Sequence, residues 1–136
     1  MSAALIGIDT NILVRLLTRD DEAQFVLCKS LIERARTDGP ILLNPIVLSE
    51  VVWVLEKIYR ILPQTARAKV AELAASSEFK VPDALPTDNW EVWFKAGHED
   101  FFDVVIAASN GAAGCDVTFT FDKAAAKSVP GMELLS

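Results

Sequence analysis

Leu5-Ile6-Gly7-Ile8-Asp9-Thr10-Asn11, near the start of the sequence, carries two signals in direct succession. The first four residues are continuously apolar, as a strand covered on both faces must be. The next three are all helix-capping types, so the strand stops at Asp9 and a short helix is predicted over Ile12–Thr18. A doubly buried strand running straight into a capped helix begins a β-α unit, and the same alternation can be sought in the remaining residues.

It recurs along the chain. A second helix is predicted from Asp21 to Arg36, ending at Asp38-Gly39-Pro40, and Ile41-Leu42-Leu43 is the next strand. Asn44-Pro45 restarts a helix with proline at its favoured first position. Val47, Leu48, Val51, Val52, Val54, Leu55 and Ile58 then recur with helical periodicity as far as Arg60. Pro63 opens a helix to Ser76, Phe79-Lys80-Val81 forms a short strand, and Thr87–Gly97 reads as a further helix. Phe101–Gly114 reads as a helix buried on most of its surface. Val117-Thr118-Phe119-Thr120-Phe121 is a β-prone strand ending at Asp122, and Gly131–Leu135 is an edge-strand candidate. The expected architecture is a three-layer α/β/α fold, a central parallel sheet flanked by helices, with residues 1–136 forming a single domain.

Composition narrows the function. The chain has 136 residues, of which 51% are hydrophobic and 24% charged, as in an ordinary soluble domain. No apolar run approaches the roughly 20 residues that span a bilayer, so no membrane role is expected. The start lacks a basic segment and meets an acid too early for a secretory signal. Cys28 and Cys115 alone make neither a disulfide framework nor a cysteine zinc site, and a cytoplasmic protein fits these features. Thirteen Lys+Arg against 19 Asp+Glu give a net charge of −6. That excludes a general nucleic-acid coat, whose affinity rests on basic residues, but not a nuclease that holds a divalent cation in a local acid cluster.

The acids fall at chosen places. Asp9 and Asp122 each follow a predicted buried strand, where the ligand crevice of an open parallel sheet lies. Each could instead be only a helix N-cap. Glu50 borders the apolar stripe of its helix near the helix start, a position that also suits a solvated glutamate. Asp100 and Asp103 straddle the start of the apolar helix, as cap and first-turn acid. Gathering Asp9, Glu50, Asp103 and Asp122 without a cation is costly, and Mg²⁺ or Mn²⁺ removes that cost. No glycine-rich nucleotide cradle is present.

Ile8-Asp9-Thr10-Asn11, Leu48-Ser49-Glu50-Val51, Asp100-Phe101-Phe102-Asp103-Val104-Val105-Ile106-Ala107 and Thr118-Phe119-Thr120-Phe121-Asp122-Lys123, in that order, resemble the PIN domain and most closely its VapC-type toxins. The resemblance spans nearly the whole chain. It implies Asp9, Glu50, Asp103 and Asp122 as catalytic, metal-binding acids, supported by Thr120 and Asn11 through hydrogen bonds, with Asp100 as a further family acid or a cap. It implies Mg²⁺- or Mn²⁺-dependent hydrolysis of RNA by an attacking water, a homodimer, and inhibition by a small antitoxin partner. Val104-Val105 stands where relatives often carry smaller residues, which bears on packing.

Arg15, Arg19 and Lys123 lie near predicted strand ends and are candidates to contact RNA. His98, the only histidine, precedes the apolar helix without a visible partner. Trp53 falls off the apolar stripe of its helix, as a dimer or antitoxin contact would; Trp90 and Trp93 suit core or interface. Asn11 stands where a haloacid-dehalogenase-like phosphatase needs its second Asp, and Asp20-Asp21 does not follow a strand as in a receiver domain. The length leaves no room for the insertions of a flap-type DNA nuclease. The remaining rival is a PIN fold kept as a catalytically silent binding module.

Overall fold

The computed structural model describes residues 5–95, 97 and 100–136. Five strands form one sheet in the order β3-β2-β1-β4-β5, and every neighbouring pair is parallel. They are β1 (Leu5–Ile8), β2 (Ile41–Leu42), β3 (Phe79–Lys80), β4 (Cys115–Thr120) and β5 (Met132–Leu134). Helices α1 (Thr10–Thr18), α2 (Glu22–Asp38), α3 (Pro45–Lys57), α4 (Pro63–Ala74), α5 (Phe101–Ala112) and α6 (Lys123–Ser128) flank it. The parallel α/β architecture is the one that the alternation of apolar runs and helical periods implies.

The apolar run Leu5–Ile8 occupies the middle of the sheet. Gly7 pairs with Leu42 on one side and with Thr118 on the other. From β1 the chain builds outward to β2 and β3, then crosses back to lay β4 and β5 on the opposite flank. The order therefore reverses between β1 and β4, and a crevice opens at the carboxyl ends of those two strands. Asp9 is the residue immediately beyond β1, and Asp122 lies two residues beyond the end of β4.

Val47, Val51 and Leu55 form the inward stripe of α3, and Val105, Ile106 and Ala107 that of α5. Val47, Val51, Leu55, Ile106 and Ala107 join Ile8, Ile12, Leu13, Leu31, Ile41 and Leu43 in a continuous core.

Two expectations need correction, and one helix had no counterpart in the sequence reading. The helix read over Thr87–Gly97 is a 3₁₀ turn over Trp90–Lys95 with no buried residue. Its apolar side chains stay outside the core, on the outer side of α5, where Phe94 lies against Phe101 with ring centroids 4.9 Å apart. Helix α5 is buried along one face only; Phe101 and Phe102 are exposed. Finally, α6 supplies the crossover between β4 and β5, and its Lys-Ala-Ala-Ala-Lys-Ser sequence carries no apolar period by which to read it.

Candidate metal centre

Local chain geometry places each acid. Asp9 caps α1: its Oδ1 accepts from the Ile12 N–H at 3.2 Å. Asp122 caps α6 through Oδ1, which accepts from the N–H groups of Ala124 (2.9 Å) and Ala125 (3.1 Å). Asp100 caps α5, accepting from Phe102 (2.9 Å) and Asp103 (3.4 Å). Capping and site-building are therefore not alternatives. The cap fixes each carboxylate at a helix start, and those starts are where the sheet opens.

Hydroxyl groups hold two of the acids. Thr120 Oγ1 donates to Asp9 Oδ2 at 2.5 Å and accepts from the Asp122 N–H at 3.0 Å, so one buried hydroxyl links both strand-end acids. Thr10 Oγ1 donates to Glu50 Oε1 at 2.6 Å. The role of Thr10 escaped the sequence reading because it counted there only as one of three helix-capping residues. Asn11 is exposed, and its side chain makes no hydrogen bond among the described residues. Among the same residues, no donor reaches Glu50 Oε2, Asp122 Oδ2 or either oxygen of Asp103.

The electrostatics follow from that arrangement. Asp9 is only 3% exposed, and burial pushes its carboxyl up to about 6 against the bonds from Thr120 and Ile12 that favour the charge; the neighbouring Asp122 adds to the rise. Asp103 is raised to about 7, first by burial and then by the charges of Asp100, Asp9, Asp122 and Glu50. Asp103, on α5, thus lies within the field of acids that follow β1, sit on α3 and follow β4. None of the ion pairs among the described residues involves any of them.

Hard, mutually repelling carboxylate oxygens are the donor chemistry that Mg²⁺ or Mn²⁺ takes. Among the described residues, no three such groups already stand close enough to enclose an ion. The donor set fits a divalent cation in kind.

The other candidates are dispersed. Arg15 is taken up by Gln24, Asp20 and Tyr59, and Arg19 pairs with Glu22 and covers the ring of Phe25. Lys123 is exposed at the start of α6, beside Asp122. His98 lies outside the described residues. Trp53 and Trp90 are exposed and Trp93 half-buried. A concavity of about 450 Å³ is an apolar groove lined by Leu16, Leu17, Phe25, Ile32, Leu73 and Phe79, toward the opposite end of α1 from Asp9.

No curated protein sequence matches the chain. Its structure is similar to that of VapBC2 from Rickettsia felis, solved bound to a DNA fragment from its promoter (TM-score 0.65, 18% identity, 96% of each chain). It is also similar to VapC20 of Mycobacterium tuberculosis, a sarcin–ricin loop cleaving toxin (TM-score 0.63, 22% identity, 91% of this chain and 96% of that one). At such identities the likeness is one of fold. The sequence itself matches the PIN domain over residues 6–130, and the chain belongs to that family.

Proposed function

We propose that the protein is a Mg²⁺- or Mn²⁺-dependent endoribonuclease of the VapC type, the toxin of a toxin–antitoxin pair. One observation carries the reading: four acids lie around the β1/β4 switch point, and two of them, Asp9 and Asp103, are raised to about 6 and about 7 with no ion-paired cation among the described residues. Such an arrangement is unfavourable in the empty protein and favourable around a cation.

Asp9, Glu50, Asp103 and Asp122 would hold the ion. When bound, it supplies Lewis acidity, activating a water and stabilising the departing oxygen of a phosphodiester. The chain's own contribution is positional. Thr120 and the Ile12 N–H fix the rotamer of Asp9, Thr10 turns Glu50 toward the crevice, and the Asp100 cap sets the first turn from which Asp103 projects. Asp103, with no donor on either oxygen among the described residues, is the acid best placed to take a proton from an attacking water.

RNA as substrate, a cognate antitoxin and a homodimer belong to the same proposal, as does a cytoplasmic site of action. The two structural neighbours, a VapBC2 assembly and a loop-cleaving VapC20, support it by analogy of fold. The apolar groove beside α1 and the exposed Trp53 offer surfaces that partner chains would cover. No described helix is long and apolar enough to cross a membrane.

The test is cleavage of total RNA by chelator-stripped, antitoxin-free protein, with and without Mn²⁺, beside Asp9→Asn. Metal-dependent cleavage that the substitution removes is the expected result. A folded protein that binds RNA but cleaves none, with or without metal, would establish the silent binding module instead.

A further inference from the structure

Directly behind the acids lies a second layer of polar side chains with no part in the site described above. Asn44, Asn110 and Thr118 are each at most 1% exposed. Asn44 Oδ1 caps α3 by accepting from the Ile46 N–H at 2.9 Å. Its Nδ2 donates to Asn110 Oδ1 at 3.0 Å and to Ser109 Oγ at 2.7 Å. Asn110 Nδ2 in turn donates to Thr118 Oγ1 at 3.0 Å. Gly7 completes the layer by what it lacks: a Cβ there would overlap Asn110 Nδ2.

The register relates this layer to the acids. Side chains two apart in a strand share a sheet face, so Gly7 stands behind Asp9 in β1 and Thr118 behind Thr120 in β4. Residues seven apart share a helix face, so Asn110 follows Asp103 along α5. Asn44 begins the helix that carries Glu50. The layer therefore touches every element that presents an acid: β1, α3, α5 and β4. Apolar residues could fill the same space, but they would not fix rotation or sliding of α3 and α5 over the sheet. An amide that moves out of line leaves a buried donor without a partner.

We propose that Asn44, Asn110 and Thr118 are positioning residues, a buried cross-brace whose bonds set the separation of the four acids and hence the affinity for a divalent cation. This rests on the metal-dependent reading given under Proposed function. The brace touches neither cation nor RNA, so its loss should weaken metal binding while the KM for RNA is unchanged.

Thr118→Val keeps the shape and removes the acceptor, whereas Thr118→Ser keeps the hydroxyl. Gly7→Ala pushes the Asn110 amide aside without deleting a polar group. Mn²⁺ affinity, read from the electron paramagnetic resonance of the free ion, is expected to fall about tenfold in Thr118→Val and in Gly7→Ala, the range seen when partners of metal ligands are lost. It is expected to return in Thr118→Ser.

Val70→Ala, a core change on α4, which carries none of the acids, controls for lost stability and should leave Mn²⁺ affinity intact. If Val70→Ala weakens Mn²⁺ as much at an equal loss of melting temperature, or if folded Thr118→Val and Gly7→Ala both bind Mn²⁺ as the wild type does, the brace is only structural and the proposal is overturned. A wild-type protein that binds no Mn²⁺ overturns the metal reading itself, and the brace with it, so the two failures are distinct.

Discussion

Two groups of acids lie at opposite ends of α1, and the protein treats them in opposite ways. At the C-terminal end, Asp20 accepts from Tyr59 Oη at 2.6 Å, Thr18 Oγ1 at 3.0 Å and Arg15 Nη1 at 3.3 Å. Its carboxyl is held below the usual range, by the Tyr59 hydroxyl above all, with Thr18 and Arg15 adding to it. At the N-terminal end, Asp9 faces Asp122 and Asp103 across the crevice, and its carboxyl is displaced the other way, to about 6. Where an acid serves only to join α1, α2 and α3, the fold surrounds it with donors and a guanidinium. Where four acids border one crevice without one, the fold has left a deficit of positive charge that a ligand can fill.

The sharpest way to break this comparison is to neutralise one acid at each end. Asp103→Asn is expected to lower metal-dependent RNA cleavage by about 10³-fold or more, the several kcal/mol a bound metal contributes. Asp20→Asn should leave the cleavage rate at the wild-type value. Equal losses in a gel-based cleavage assay would mean that the crevice is not special.

Stability should respond with opposite sign. In metal-free protein Asp9 and Asp103 titrate at about 6 and about 7, against 3.8 for a free aspartate, so between these values the native state binds more protons than the unfolded chain. Their contribution therefore makes the protein less stable as pH rises from about 4 to about 7, with the penalty fully present above that window. For Asp9, buried throughout, the displacement corresponds to a penalty of up to about 3 kcal/mol. Asp9→Asn keeps a capping oxygen and removes the charge, so urea unfolding at pH 7.5 in the presence of chelator should show a more stable variant. Destabilisation by Asp9→Asn would make the cap, not the charge, its main role.

The threonine linking the strand-end acids should matter less than the acids. Thr120→Val leaves Asp9 without its 2.5 Å donor and is expected to cut cleavage about tenfold at limiting Mn²⁺. An unchanged rate would leave Thr120 as a core residue only. Tyr59→Phe should have the smallest effect: a slight loss of melting temperature from the exposed Asp20 network, with cleavage unaffected.

Much of this arrangement was legible in the sequence, because its signals are local. Leu5–Ile8 ending at Asp9 and Val117–Phe121 ending at Asp122 announce two buried strands, and a parallel sheet puts their ends at one edge. The period through Val47, Val51 and Leu55 placed Glu50 at the rim of α3. What stayed hidden depends on contacts distant in sequence. Thr10 with Glu50 and Asn44 with Asn110 are pairs joined only by the fold, and no spacing encodes them. Arg15 looked free because its partners Gln24 and Tyr59 come from two other segments. The Trp90–Lys95 segment has apolar residues enough for a buried helix, and only the fold shows that it lies outside the core with none of them buried.

Titration of Mn²⁺ into chelator-stripped protein at pH 6.5, followed by calorimetry in two buffers of different ionisation enthalpy, tests most directly whether the unpaired acids form a cation site. Carboxyls that titrate at about 6 and about 7 are partly protonated there, so saturable binding should release protons and raise the melting temperature, and Asp103→Asn should weaken both. Absence of saturable binding, or binding that Asp103→Asn leaves untouched, would contradict the assignment of this crevice as the metal centre.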